Sequence, residues 1–320
     1  MGRVIPPATI GDAVSGSQRF TKPAPLRAFD KVAVVAAAGP VDRERFEAGL
    51  RVLAERYRPV FDDRLFARTR YLAGDDARRL DELAAALTDD GVKAIFAARG
   101  GYGTMRLLPR LWPKLRDGGV RPKPVVGFSD LTGLHLALQA AGWVSIHGPT
   151  LTQLGRQPPD AVARLVHLLE SATTPAPSLT GTPLIGGVAE GPLLGGNLAL
   201  LSALVGTPYL PAFDGAVLVL EDVGERPYRL DRMWIQLALA GILDRVRGIA
   251  LGDFSDCEEP DADYASADVL RALAIETGLP CVVGLPIGHG AVNVAVPLGC
   301  RVRLDGDAGT ITFLEPAVAA

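Results

Sequence analysis

The sequence predicts an α/β protein in two parts, a doubly wound domain followed by a strand-richer one, on three observations. Apolar runs of strand length alternate with stretches of helical periodicity through the first half. Those runs end in Gly- or Pro-containing turns, and prolines gather between residues 157 and 187. Alternation of this kind places helices on the faces of a mostly parallel sheet, with ligands at the carboxyl ends of its strands. A chain of 320 residues with 48% hydrophobic residues, 36 glycines and 25 prolines has the length for two domains and the composition of a turn-rich globular protein.

In chain order, Lys31-Val32-Ala33-Val34-Val35-Ala36-Ala37 reads as a buried strand ending in Gly39-Pro40. Asp42 to Arg56 follows as a helix with Phe46, Leu50 and Leu53 on one face. Asp76 to Leu87 is a second amphipathic helix, and Val92 to Ala98 a strand that runs into Arg99-Gly100-Gly101-Tyr102-Gly103. Pro124-Val125-Val126 is a short strand, and Leu131 to Leu138 the helix after it. Pro158, Pro159, Pro175, Pro177 and Pro183, with one short helical stretch among them, have the composition of a surface connection, so a domain boundary is expected there. Beyond it, Val217 to Leu220, Val246 to Leu251, Cys281 to Val283, Asn293 to Val296 and Val302 to Phe313 supply strands for a second domain, with Arg229 to Leu243 its best helix.

Several function classes are excluded. A net charge of −3 and the lack of any Lys/Arg-rich run give no electrostatic basis for nucleic-acid binding. The first 30 residues do not resemble a secretory signal, and no segment has the length and apolarity to span a bilayer, so a soluble cytoplasmic protein is expected. Cys257, Cys281 and Cys300 are odd in number and lack Cys-x-x-Cys spacing, which indicates neither a disulfide framework nor a zinc site. Neither Ala38-Gly39-Pro40 nor Gly100-Gly101-Tyr102-Gly103 fits a dinucleotide fingerprint or a P-loop. No cofactor is expected.

Gly127-Phe128-Ser129-Asp130 stands at a strand-to-helix turn, where a serine hydroxyl is exposed above the sheet and neighbouring N–H groups can stabilise negative charge. The alternative is that Ser129 and Asp130 only cap the helix. A nucleophilic serine needs a base. His135 lies in an apolar helix, His147 on a strand and His167 in a helix, whereas His289 lies in Gly284-Leu285-Pro286-Ile287-Gly288-His289-Gly290, a loop whose glycines leave its imidazole free to project. An orienting carboxylate belongs at a strand end, where Glu221 is found; Asp222 and Glu225 can instead face solvent or cap the helix near Tyr228. The chain order Ser, acid, His also suits an α/β-hydrolase, but the closing glycine of Gly-x-Ser-x-Gly is missing.

Arg99-Gly100-Gly101-Tyr102-Gly103, Gly127-Phe128-Ser129-Asp130, Gly195-Gly196-Asn197-Leu198, Leu220 to Glu225 with Tyr228-Arg229, and Pro286-Ile287-Gly288-His289 together resemble the L,D-carboxypeptidase family of serine peptidases, which also includes the microcin C self-immunity hydrolases. The resemblance runs from about Pro23 to Leu314 and leaves an N-terminal extension, residues 1–22, outside it. It implies a flavodoxin-like domain over 23–156, a linker over 157–187 and a swivelling β/β/α domain over 188–320. It also implies a triad of Ser129 as nucleophile, His289 as general acid/base and Glu221 as orienting partner, with an oxyanion hole from the Gly101 and Asp130 amides. Tyr102 and Asn197 are the substrate contacts it suggests, and a homodimer is an open expectation. Ala36-Ala37-Ala38-Gly39-Pro40 departs from the family's more usual Ala-Pro-Ser-Gly-Pro.

The implied reaction is removal of terminal D-alanine from a cytoplasmic murein tetrapeptide, whose free carboxylate calls for an arginine; Arg99, Arg106 and Arg229 are candidates. Two alternatives stand beside it. The same hydrolase could act on a peptidyl-nucleotide antibiotic, for which an aromatic platform near Trp143 or within Asp253 to Tyr264 is the sign to look for. A non-catalytic protein closing on a small ligand would show no serine reactivity.

Overall fold

The structure, a computed structural model, describes residues 19–117 and 119–320. Residues 1–18 of the expected N-terminal extension lie outside the described residues. The first half alternates strand and helix. After β1 (Lys31–Val35) comes α1 (Arg43–Ala54), where the Asp42 side chain accepts a hydrogen bond from the Arg45 N–H and Phe46, Gly49 and Leu53 are buried. Then come β2 (Arg58–Val60), α2 (Asp76–Thr88), β3 (Ala94–Ala97), α3 (Leu108–Arg116), β4 (Val125–Gly127), α4 (Thr132–Ala140) and β5 (Ser145–His147). α2 is capped in the same way, by Asp75 on the Arg78 N–H, and caps of this kind contribute about 1 kcal/mol each.

The second half contains α5 (Leu151–Leu154), α6 (Pro159–Glu170), β6 (Leu179–Thr180), β7 (Thr182–Ile185), β8 (Val188–Asn197), α7 (Leu198–Ala203), β9 (Val217–Val223) and α8 (Pro227–Leu239). It continues with β10 (Gly248–Ser255), α9 (Ser266–Thr277), β11 (Cys281–Val283), β12 (Val296–Leu298), β13 (Arg301–Asp305) and β14 (Thr310–Phe313).

Two sheets result among the described residues. The first runs β12-β5-β4-β3-β1-β2, and its β2-β1-β3-β4-β5 part is parallel in the flavodoxin-type order, whose topological switch point lies between β1 and β3. The second runs β6-β14-β13-β8-β9-β10-β11-β7, with a parallel centre from β8 to β11 and antiparallel flanks.

Two expectations change. The run Asn293 to Val296 was expected as a strand of the second domain; instead β12 adds antiparallel to β5 of the first sheet, pairing Val296 with His147. An apolar run reveals that a strand will be buried but not which edge will receive it, and β5 would otherwise leave its backbone groups unpaired. Residues 157–187 are also more than a surface connection. α6 buries Ala161, Leu165, Leu168 and Leu169, while β6 and β7 form the two outer strands of the second sheet. The prolines suit this: Pro159 stands at the first position of a helix, where its missing N–H costs nothing, and Pro183 lies in an edge strand.

The two sheets are not independent. Leu134, Leu138, Leu194, Leu198, Leu201 and Leu218 belong to one continuous apolar core, because α4 packs against β8 and α7. At the rim of this contact the Asn197 N–H donates to Thr132 Oγ1 at 3.0 Å. A Cβ at Gly196 would come within 2.8 Å of the same oxygen, so the close approach requires glycine. The helix that begins after Ser129 is thereby fixed against the second sheet.

Candidate active site

β4 delivers the chain to Phe128 and Ser129 at its carboxyl end. Ser129 has φ +62°, a left-handed conformation that costs a non-glycine residue on the order of 1–3 kcal/mol and is retained where surroundings enforce it. Enforcement comes from both sides. Asp130 is buried, its Oδ2 accepts the Thr104 N–H at 2.9 Å, and the Thr104 hydroxyl donates to the Asp130 carbonyl. Behind the strand, His135 is fully buried between Gly127 O (2.8 Å from Nε2) and Ser145 Oγ (2.9 Å from Nδ1). Nε2 must carry the proton there, since a carbonyl only accepts. Burial pushes His135 down to about 3, so it remains neutral. Gly100 completes the turn's surroundings: a Cβ there would lie 2.9 Å from Ser129 Cβ and 3.0 Å from Oγ.

The two amides expected to hold an oxyanion belong to Asp130, next in the chain after Ser129, and Gly101, next after the Gly100 packed on Ser129. Asp130 N–H belongs to the first turn of the helical segment, where amides lack an intrahelical acceptor. Gly101 has φ +116° in the loop after β3, directly beyond Gly100.

The second sheet contributes the acid and the histidine. Glu221, near the end of β9, is completely buried, and its Oε2 lies 2.6 Å from His289 Nδ1. His289 itself is partly open to solvent. The loop that presents it needs glycine on both sides. A Cβ at Gly288 (φ +119°) would stand 2.5 Å from Glu221 Oε2, and one at Gly290 would stand 2.4 Å from Asp253 Oδ2, which accepts the Gly290 N–H. Burial alone would raise the Glu221 carboxyl, but the facing imidazoles of His147 and His289 outweigh it and hold the group below the usual carboxylate range. The Phe128 ring joins the two halves, with its centroid 4.6 Å from that of His289. The Ser129 hydroxyl has no hydrogen bond to a described residue.

His147 was passed over in the sequence. It ends β5 as Glu221 stands near the end of β9, and its Nε2 lies 3.8 Å from Glu221 Oε1. The strand-end criterion that selects Glu221 also selects His147. His167, by contrast, stays with the Thr174 and Pro175 carbonyls beyond α6.

Asn197 and Asp222 have structural duties. Asn197 is buried, donates one Nδ2 hydrogen to Asp222 Oδ1 at 2.9 Å and accepts the Leu200 N–H at Oδ1, which leaves it a second Nδ2–H and a second Oδ1 lone pair. Asp222 is buried rather than solvated and also accepts the Ala199 N–H, so it caps α7 and not the helix near Tyr228. Glu225 faces Arg229 at 3.4 Å.

The three arginines also separate. Arg106 grips Asp76 with two nitrogens, and Arg229 lies between Glu225 and Tyr228. Arg99 donates to the Pro40 carbonyl and forms no ion pair among the described residues. It lines a cleft of about 520 Å³ with Gly39, Pro40, Asp42, Arg68, Tyr71, Gly101 and Tyr102, at the switch point between β1 and β3. Tyr71 and Tyr102 meet edge to face on its wall, 5.7 Å apart. Trp143 is only 6% exposed and offers no stacking face. No group of three or more His, Cys, Asp or Glu side chains among the described residues is arranged to hold a metal ion.

Comparison with known proteins decides the family. The LD-carboxypeptidase N-terminal domain matches residues 32–148, and the LD-carboxypeptidase C-terminal domain matches residues 190–304. The murein tetrapeptide carboxypeptidase of Pseudomonas aeruginosa is 36% identical over 289 residues, covering 87% of this chain and 94% of that protein. The chain belongs to the LD-carboxypeptidase family. It is a peptidase. The solved muramoyltetrapeptide carboxypeptidase from Oxalobacter formigenes superposes with a TM-score of 0.77 at 34% identity, over 88% of this chain and 97% of that one. Microcin C7 self immunity protein MccF in its wild-type apo state gives 0.82 at 20% identity, over 93% and 100%, a likeness of fold. Among the described residues no helix is long and apolar enough to cross a membrane.

Proposed function

We propose that this chain is a cytoplasmic serine L,D-carboxypeptidase that removes the terminal D-alanine of murein tetrapeptides. The observation that carries this reading is the buried Glu221–His289 hydrogen bond of 2.6 Å, set against the ring of the residue that precedes Ser129. Glu221 accepts from Nδ1, which fixes the tautomer that leaves the Nε2 lone pair available.

His289 Nε2 takes the Ser129 proton as Oγ bonds to the scissile carbonyl carbon, and the carbonyl electrons move to an oxyanion held by the Gly101 and Asp130 amides. The imidazolium, stabilised by Glu221, protonates the amine of D-alanine as the C–N bond breaks. Water, deprotonated by the same imidazole, then attacks the serine ester; the C–Oγ bond breaks, and the proton returns to Ser129. Arg99 receives the terminal carboxylate, because it lies beside the oxyanion loop and forms no ion pair among the described residues, and Tyr102 closes that cleft.

Murein tri-, tetra- and pentapeptides incubated with the protein and analysed by mass spectrometry test this. The tetrapeptide should lose one alanine and the tripeptide remain intact. An unchanged tetrapeptide, or equal loss with Ser129→Ala, overturns it. Light scattering on the same sample reads the homodimer that the family resemblance suggests.

A further inference from the structure

His147 is fully buried, and neither of its ring nitrogens has a hydrogen-bond partner among the described residues. That is unusual for a core histidine, because buried polar groups are nearly always paired. His135, its neighbour in the core, shows the normal condition with both nitrogens engaged. Among the described residues Glu221 Oε1 is likewise buried and unpaired, 3.8 Å from His147 Nε2, while Oε2 is committed to His289. The distance is longer than a hydrogen bond, yet an imidazole always carries at least one N–H. A proton on Nε2 would face the acceptor that lacks a donor. The two groups come from different sheets, β5 and β9, so the contact crosses the seam on which the site is built. Phe128 packs its ring against both imidazoles, with centroids 5.6 Å from His147 and 4.6 Å from His289.

We propose that His147 is a positioning residue for the Glu221–His289 pair: across the seam its Nε2–H faces Glu221 Oε1 and holds the carboxylate plane so that Oε2 meets His289 Nδ1. The chemical role of that pair rests on the function proposed above, whereas the positioning itself does not. A carboxylate held at one oxygen only can rotate about its terminal bond; a donor at each oxygen fixes the plane. His147 touches no substrate in this scheme.

The test uses the full chain with His147→Leu, which removes the donor, and His147→Gln, which retains an N–H at similar reach. The first readout is the low-field Nδ1–H proton resonance of His289 in labelled protein, assigned by its loss in Glu221→Gln, and it needs no substrate. It should broaden or move upfield in His147→Leu and return toward its wild-type position in His147→Gln. The second readout is turnover of the tetrapeptide, where kcat should fall roughly 10- to 100-fold in the Leu variant with KM nearly unchanged, and recover in Gln. Should the Leu variant fail to fold, His147→Asn replaces it, since its shorter amide cannot reach Oε1. An unaltered His289 resonance in a folded Leu or Asn variant overturns the proposal, as does a Gln variant no better than either. A wild-type protein inert toward the tetrapeptide would overturn the functional reading alone, with the resonance still deciding the positioning role.

Discussion

Ser129 and the Glu221–His289 pair come from different sheets, and they are held in place by different means. The serine owes its position to backbone: a left-handed φ, the glycine at 100 pressed against it, and hydrogen bonds to Asp130 and Gly127 that involve no atom of its own side chain. The pair owes its position to side chains, in a completely buried carboxylate with an imidazole on each oxygen's side. In the proposed mechanism, the half that attacks is left with a free hydroxyl on a rigid turn. The half that accepts and returns a proton in that mechanism is tied into a set of buried polar side chains that a single amide substitution can unbalance. The two halves should therefore fail differently when altered.

The largest effect falls on Ser129→Ala, which removes an unbonded hydroxyl and leaves the turn's supports in place. Turnover should drop on the order of 10⁴ to 10⁶-fold. Thermal melting should be unchanged, and a parallel loss of melting temperature would mean that the hydroxyl has a structural duty. Glu221→Gln comes next, with turnover lower by roughly 10⁴-fold, since a neutral amide can neither select the tautomer nor balance the imidazolium. Here the melting temperature should also move, because buried Nε2 hydrogens would confront one of the two imidazoles. Equal melting in both variants would erase the distinction between the halves.

Much of this division was legible in the sequence, and the exceptions have a common cause. The turn at Ser129 could be read because strand, glycine and helix follow one another locally, and Glu221 because it closes an uninterrupted apolar run. His147 could not be ranked, since its significance depends on β9 lying across from β5, a neighbour some 70 residues away in the chain. The same holds for Val296–Leu298, whose apolar character was plain but whose partner strand was not. Asn197 is offered as a substrate contact by the family resemblance alone; its added duty as a cap on α7, bonded to the buried Asp222 of the neighbouring strand, is not readable locally. Local patterns report burial and turns, while partners between distant strands are decided by topology.

Gly288→Ala sharpens the comparison from the pair's side. A Cβ there has to displace Glu221 Oε2 and to adopt φ +119°, so the carboxylate and His289 should separate. Misplacement of about 1 Å costs on the order of 10²-fold in rate. The kcat of this variant should fall by that order while KM changes little, and a normal kcat would show that the loop tolerates the shift. Arg99→Gln should act in the opposite way. Losing a charge-assisted hydrogen bond of roughly 1.5–3 kcal/mol should raise KM about 10- to 100-fold. Tetrapeptide amidated at its terminal carboxylate should then bind wild type and variant alike, and a persistent difference would assign Arg99 another partner.

The smallest effect on turnover is expected at Asp222→Asn, one residue from Glu221 and on the structural side of the division. Asp222 accepts hydrogen bonds from Asn197, Ala199 and Val223, so the variant loses acceptors and should be less stable, by about 1–2 kcal/mol at acidic pH. Its pH dependence gives the sharper reading. Burial, opposed by those hydrogen bonds, pushes the carboxyl from an ordinary 3.8 up to about 6. A group raised in the fold has its full stabilising contribution below the unfolded value and loses it as pH rises through the folded one. Wild-type stability should therefore carry a decline between about pH 4 and pH 6 that the variant lacks, on the order of 3 kcal/mol at most. Urea unfolding of both proteins at either end of that window measures it: the variant's deficit should narrow as pH rises, and parallel curves would place the Asp222 proton elsewhere. Turnover near the wild-type level, measured on the same samples, would leave Glu221 as the orienting carboxylate, whereas its collapse would move that role one residue along β9.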